Sequence, residues 1–205
     1  MVDTQFINEL ASKAPTPGGG GASAYAGALA CALSSMVGNL TSGKKKYADV
    51  EEKVQAHLLY CEDLRDSLLE QIDADAQAFE PVAAAYRMPS ETESEKAAKN
   101  IALQAALMDA CKVPLRIMEL CSSVLDEALF FARCGSKLAI SDAGASAILA
   151  KAALEAAALN VYINTSSMDD KTLAKHLEDQ ADDMRFSSST QENEIVELVY
   201  SQIRK

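Results

Sequence analysis

The chain has no tryptophan, and aromatic residues make up only 5% of its 205 positions. Nowhere is a basic run interleaved with aromatics, and the formal net charge is -11. That balance opposes a phosphate backbone over most of the surface and argues against nucleic acid as a partner. Histidine occurs twice, at His57 and His176, without an HExxH pattern and with no cysteine at ligand spacing to either. No structural metal site and no Cys-His catalytic pair is expected. The five cysteines, Cys31, Cys61, Cys111, Cys121 and Cys134, are odd in number and form no CxxC pair, so they read as reduced core thiols. Met1 to Lys13 is polar and acidic, unlike a secretory leader, and a cytoplasmic location is the expectation.

Charge is also missing locally, from Ala14 to Gly43. The stretch is long enough to cross a bilayer, but Pro15, Pro17 and four successive glycines occupy its first third and small residues much of the rest. Such a helix is better placed at the centre of a soluble bundle, and no membrane partner is expected. What is abundant is alanine, the strongest helix former and a residue that lets helices approach closely.

The periodicities agree. Val2 to Ala14 reads as a short helix ending at Pro15, Pro15 to Gly21 as a loop, and Ala22 to Thr41 as the small-residue helix, closed by Gly43 and Lys44-Lys45-Lys46. From Asp49 to Tyr86 apolar positions recur every three or four residues, predicting a long helix bent or ended near Pro81. Ser90-Glu93 and Thr92-Glu95 both offer a capping pattern for the next helix, which runs to Pro114 and continues or restarts as far as Gly135. Ser141 is expected to cap a segment reaching Asn164. A last stretch covers Asp169 to Ile203, with Ser187-Ser188-Ser189 a candidate interruption. The expected architecture is all-α, an up-and-down bundle of long helices, with residues 1–205 as one domain.

Carboxylates are the best candidates for acid-base chemistry. Leu68, Ile72, Asp75, Phe79, Val82 and Tyr86 step by four and three, a seam that a helix turns toward its partners, and Asp75 lies within it. Asp73 lies about 200° around the helix from Asp75 and cannot face the same pocket. Desolvation would raise the Asp75 pKa toward a range suited to proton transfer. The alternative is a structural aspartate satisfied by neighbouring donors. Asp142 heads a second seam, through Ala145, Leu149, Ala152, Ala156, Leu159 and Ile163, although Ser141-Asp142 is equally a good helix start. Asn160 and Asn164 share a face and either read the edge of a heterocycle or tie two helices. The glycine run serves a ligand at a helix N-terminus or simply a sharp turn. Gly38 to Lys44 nearly matches a P-loop, but Lys45 stands where Ser or Thr should hold Mg²⁺ and no strand precedes it. Lys44 to Lys46 either pair with ligand carboxylates or are a solvated helix end.

Taken together, Pro17-Gly18-Gly19-Gly20, the Met36 to Tyr47 segment, Ile72-Asp73-Ala74-Asp75-Ala76-Gln77-Ala78-Phe79, Lys112-Val113-Pro114-Leu115 and Ser141-Asp142 leading to Asn160-Val161-Tyr162-Ile163-Asn164 resemble the cyclodeaminase/cyclohydrolase family of one-carbon folate enzymes. The resemblance spans essentially the whole chain. It implies a catalytic aspartate in the Asp-Ala-Asp-Ala segment, which the seam assigns to Asp75, with Asp142 secondary. It also implies folate contacts at Gly18, Gly19, Gly20, Lys44, Lys45, Asn160 and Asn164. The implied substrate is a tetrahydrofolate derivative, polyglutamylated forms included, with no metal or redox cofactor, and the implied assembly is a homodimer or an assembly of dimers. The expected reaction is hydrolysis of 5,10-methenyltetrahydrofolate to 10-formyltetrahydrofolate. The alternative is cyclodeamination of 5-formiminotetrahydrofolate, and a non-catalytic helical interaction module is the rival from another class. One departure stands out: the family usually has Ser after the three glycines, where this chain has Gly21, so Ser23 or water would have to supply that hydroxyl.

Overall fold

A computed structural model describes residues 4–204. The described residues form seven α-helices and no strand: α1 (Thr4–Leu10), α2 (Gly19–Asn39), α3 (Glu51–Arg87), α4 (Glu93–Ala110), α5 (Lys112–Cys134), α6 (Ile140–Ser166) and α7 (Lys171–Ile203). Short 3-10 turns, Lys45–Val50 and Lys137–Ala139, lead into α3 and α6.

The uncharged helix α2 is central because its small residues let neighbours approach from several sides. A Cβ on Gly27 would meet Cys121 Sγ at 2.9 Å and Leu68 at 3.0 Å, and one on Gly38 would meet Leu58 at 2.7 Å and the Phe131 ring at 2.8 Å. These contacts place α3 and α5 against the same helix. On another side α6 runs antiparallel to α2. Gly19 lies beside Asn160, and Ser34 donates to the Ser146 hydroxyl at 2.8 Å while Ser146 donates to the Ala30 carbonyl at 2.6 Å. Helix α7 closes the back of α6 through Thr165 to Glu178 and Arg185 to Glu155. Both α2 and the Lys137–Ser166 stretch are long and apolar enough to cross a membrane by length and composition, yet each turns a large part of its apolar surface into the bundle.

Several boundaries differ from the sequence expectation for local reasons. Of the first predicted helix, Val2 lies outside the described residues and the described part stops at Leu10, where Ser12 turns the chain. Helix α2 starts at Gly19, so three of the four glycines form its first turn and not a loop. None of them has a positive φ; only Gly43 does (φ 72), at the turn that closes the helix. Pro81 neither ends α3 nor keeps it from reaching Arg87: it sits exposed, where water can take the carbonyl it leaves unpaired. Thr92 and Glu95 form the capping box of α4, each side chain bonding the other's backbone N–H. The chain then restarts after Cys111, with Pro114 in the first turn of α5, where a missing N–H costs nothing. Ser141 does not cap α6, because the preceding 3-10 turn feeds the helix directly and Ala139 holds the cap position. Helix α7 runs unbroken through Ser187-Ser188-Ser189, capped by Asp170, whose carboxylate accepts from Thr172 and Leu173.

The core is divided in two. The larger cluster fills the space among α2, α3, α5, α6 and α7. A smaller one, Val82, Ala106, Leu107, Ala110, Met168 and Ala174, joins the end of α3 to α4 and to the start of α7. The candidate site opens where the two meet.

Candidate active site

The opening is a cleft of about 340 Å³, within the size range of small-molecule sites. It is walled by α3 through Asp75, Phe79, Val82 and Tyr86, by α2 through Gly18 and Gly19, and by α6 through Asn160, Ile163 and Asn164. The seam on α3 is therefore two surfaces in succession. Leu68 is fully buried against the core, while from Asp75 onward the same face borders the cleft, leaving Phe79 40% and Tyr86 53% exposed to whatever fills it. Asp73 is exposed on the far side of the helix.

Asp75 is the sole charged side chain among the residues lining the cleft. Its Oδ2 accepts a hydrogen bond of 3.0 Å from the Gly21 N–H in the first turn of α2. Two effects oppose each other at this carboxyl. Burial raises its pKa, and the Gly21 N–H lowers it; burial prevails, and the pKa stands above the ordinary aspartate range. The glycines make this geometry accessible. A Cβ at Gly20 would lie 2.0 Å from Asp75 Oδ1, so only glycine lets the carboxylate reach the helix end. Their role is close approach and not unusual backbone angles.

Gly21 itself has room: a Cβ there would meet Ile72 and Pro17 at 3.6 Å, ordinary contact. Ser23 does not supply a hydroxyl to the cleft, since it is buried and donates to the Gly19 carbonyl at 2.6 Å. Asn160 lies against Gly19 and donates to the Ala156 carbonyl of its own helix at 3.0 Å. Asn164 donates to the Ala110 carbonyl at 3.2 Å, so it ties α6 to α4 while lining the cleft.

Gly18, Gly19, Gly20, Asp75, Asn160 and Asn164 thus converge. Lys44, Lys45 and Asp142 do not. Lys44 and Lys45 are exposed beyond the C-terminal end of α2, whose 21 residues span roughly 30 Å. Asp142 is in the first turn of α6, which runs antiparallel to α2, and therefore lies at that same distant end. Its supposed seam is not buried: Leu149, Leu159 and Ile163 are 37%, 67% and 67% exposed, and the core face of α6 is instead Ala143, Ala147, Ala150, Leu154, Ala157 and Val161.

One buried polar group escaped the sequence reading. Glu127 on α5 is 3% exposed and receives His57 Nδ1 at 2.8 Å, with the His57 ring stacked on Phe130 at 3.6 Å between centroids. Burial raises the Glu127 pKa against the opposing pull of His57. Its signal was present, since Glu127 falls inside the apolar run Val124, Leu125, Ala128, Phe131. Among the described residues, no group of three or more His, Cys, Asp and Glu side chains is placed to hold a metal ion.

A carboxylate seated on a glycine helix start, inside an otherwise uncharged cleft of an all-helical protein, is an arrangement suited to acid-base chemistry. The chain belongs to the formiminotransferase-cyclodeaminase family, whose sequence profile matches residues 3–183. It is 42% identical to the methenyltetrahydrofolate cyclohydrolase of Methylorubrum extorquens over 97% of this chain and 95% of that protein. It is 31% identical to the formimidoyltransferase-cyclodeaminase of Rattus norvegicus over 80% of this chain, but spans only 30% of that longer protein. Among solved structures it resembles the formiminotetrahydrofolate cyclodeaminase of Thermotoga maritima, with a TM-score of 0.83 and 29% identity over 100% of this chain and 96% of that one.

Proposed function

We propose that the chain is a one-carbon folate enzyme that hydrolyses 5,10-methenyltetrahydrofolate to 10-formyltetrahydrofolate. The observation that carries this reading is the cleft's charge: one carboxylate and no cation. Methenyltetrahydrofolate is itself cationic at the reacting amidinium carbon, so a lone half-buried anion attracts it and stabilises its charge. Asp75 then accepts a proton from the water that attacks that carbon. The C–O bond forms; then the carbon–N5 bond breaks as N5 takes up the proton held by Asp75 and the hydroxyl proton passes to solvent, leaving the formyl group on N10 and one proton released overall. Phe79 and Tyr86 offer aromatic faces to the pterin, and Asn160 and Asn164 offer amide groups to its polar edge. No step calls for a metal or redox cofactor.

Similarity to the cyclodeaminases supports a second reading, cyclodeamination of 5-formiminotetrahydrofolate. There a protonated Asp75 would assist departure of ammonia, and its raised pKa suits that role too. The cyclohydrolase reading is preferred because the similarity at 42% identity covers nearly the whole of both chains. Supplying each folate separately, and following methenyl absorbance and ammonia release, decides between them. Turnover of 5-formiminotetrahydrofolate without hydrolysis of the methenyl form would reverse the assignment.

The reading includes a soluble cytoplasmic protein, residues 1–205 as one catalytic domain, and a homodimer or an assembly of dimers. It also gives Lys44 and Lys45 the carboxylates of the folate tail, polyglutamylated tails included, and leaves Asp142, at the far end of α6, outside the reaction. Affinity for a polyglutamylated folate should then fall with salt and on changing both lysines to Ala.

A further inference from the structure

The cleft lining has no cation, yet the substrate proposed above ends in an anionic glutamate, and Lys44 and Lys45 lie roughly 30 Å away past the other end of α2. The far end of the cleft supplies what its lining lacks. On α3 the wall runs from Asp75 through Phe79 and Val82 to Tyr86, roughly 16 Å along the helix axis. Helix α4 lines the same cleft with Ala110 and Leu107, and that stripe continues by steps of four through Leu103 to Lys99. Lys99 Nζ donates to the Tyr86 carbonyl at 2.8 Å and to the Met88 carbonyl at 3.2 Å. A lysine is therefore fixed at the residue where the wall ends, at the opposite end from Asp75.

The ammonium of Lys99 is held but not neutralised. It has three donors, and the two carbonyls occupy two of them. Those partners are uncharged dipoles, so the positive charge persists, and the tether removes much of the side chain's freedom before any ligand arrives. Nearby carboxylates are engaged elsewhere. Glu95, one turn before Lys99 on α4, accepts from the Glu91 and Thr92 N–H groups, and Glu93 pairs with Lys96 at 2.7 Å. Among the described residues Lys99 takes part in no salt bridge.

We infer that Lys99 binds a carboxylate of the first glutamate in the substrate's tail and so sets the preference for glutamate-bearing substrates. The inference rests on the folate reading and adds to it a contact from the subunit that holds Asp75. The substrate then lies along α3, with its cationic carbon at Asp75, its rings beside Phe79 and Tyr86, and its glutamate at Lys99. Opposite charges at the two ends of an uncharged cleft fix which way the molecule enters. The competing role for Lys99 is to close α3 and nothing more, since a lysine on the last carbonyls of a helix is a common cap. A cap supports the fold whatever the substrate carries, and this separates the two roles.

The test compares 5,10-methenyltetrahydrofolate with 5,10-methenyltetrahydropteroate, which has the same reacting centre and no glutamate. Wild type should favour the glutamate-bearing substrate. Lys99→Ala should lower kcat/KM for that substrate about tenfold, mainly through KM, and leave kcat/KM for the tail-less one unchanged. Lys99→Arg should restore most of the preference, and added salt should erode it in wild type but not in Lys99→Ala. Arg87→Ala removes one positive charge from the last turn of the same helix and should keep the preference. Equal losses on both substrates in Lys99→Ala overturn the inference and leave Lys99 as a cap. An unchanged preference in Lys99→Ala overturns it too, as does a preference lost equally in Arg87→Ala or lost only in Lys44→Ala/Lys45→Ala. Circular dichroism establishes that each variant is folded; if Lys99→Ala is not, Lys99→Gln, which keeps donors for the carbonyls without the charge, is read in its place. A wild-type chain that turns over neither the methenyl nor the formimino folate overturns the folate reading and the inference with it, whereas turnover whose tail preference ignores Lys99 overturns the inference alone.

Discussion

At the residue scale, Asp75 is held by what its neighbours lack. Gly20 leaves space for the carboxylate and Gly21 donates to it. Gly20→Ala places a methyl group inside the Asp75 contact distance, and a displacement near 1 Å at a catalytic group costs about 100-fold in rate. We therefore expect Gly20→Ala to lower kcat/KM about 100-fold while the protein still folds. Gly21→Ser meets only ordinary contacts and should leave stability within about 0.5 kcal/mol, measured by denaturant unfolding. The pKa of Asp75 has a consequence for stability as well. Because the folded value is raised, the native state binds more protons than the unfolded chain across the window between the two values, and stability falls as pH rises through it. At neutral pH Asp75→Asn should accordingly be as stable as wild type or more so, as measured by urea unfolding at neutral and acidic pH.

At the element scale, helices are joined through small residues and a few buried polar ties. Gly38→Ala forces its new methyl group into Leu58 and the Phe131 ring, and overpacking of that kind costs about 1 to 3 kcal/mol. Glu127 ties α5 to α3 through His57. His57 keeps a third of its side chain exposed, so removing Glu127 leaves it partly solvated, and Glu127→Ala should cost about 2 kcal/mol. Glu127→Gln keeps an acceptor for His57 and should cost less; denaturant midpoints check both. Most of this level was legible. The heptad-like steps of α3, the capping pattern at Thr92 and the small-residue character of α2 follow from local chemistry and were readable directly. The face of α6 was misassigned because the helix is apolar on both sides: Ala and Leu occupy the exposed stripe as well as the buried one, and periodicity alone cannot choose between them.

At the scale of the whole molecule, an acidic, alanine-rich bundle places one carboxylate in an uncharged cleft at the junction of two cores. Asp75, Asn160 and Asn164 were legible as site candidates because each lies at helical spacing that a single element fixes. Thr16, Leu107 and Ala110 were not, since their place on the cleft depends on how α4 and the loop before α2 dock. The free thiols follow the same burial pattern. Cys31, Cys61, Cys111 and Cys121 are buried, and burial pushes Cys111 and Cys121 up to about 11 and about 12. A thiol reagent should label Cys134 first and the other four only on unfolding, which mass spectrometry of the partly labelled protein would resolve.

The central claim is that Asp75 carries the proton transfer in folate hydrolysis. It is tested most directly by the pH dependence of kcat/KM for 5,10-methenyltetrahydrofolate, measured for wild type and Asp75→Asn by loss of methenyl absorbance. As the base, Asp75 must be ionised, so wild-type activity should fall as pH drops through a limb above the ordinary aspartate range. Asp75→Asn should lose at least about 100-fold and show no such limb. A folded Asp75→Asn protein that retains wild-type turnover with the same acidic limb would contradict the account.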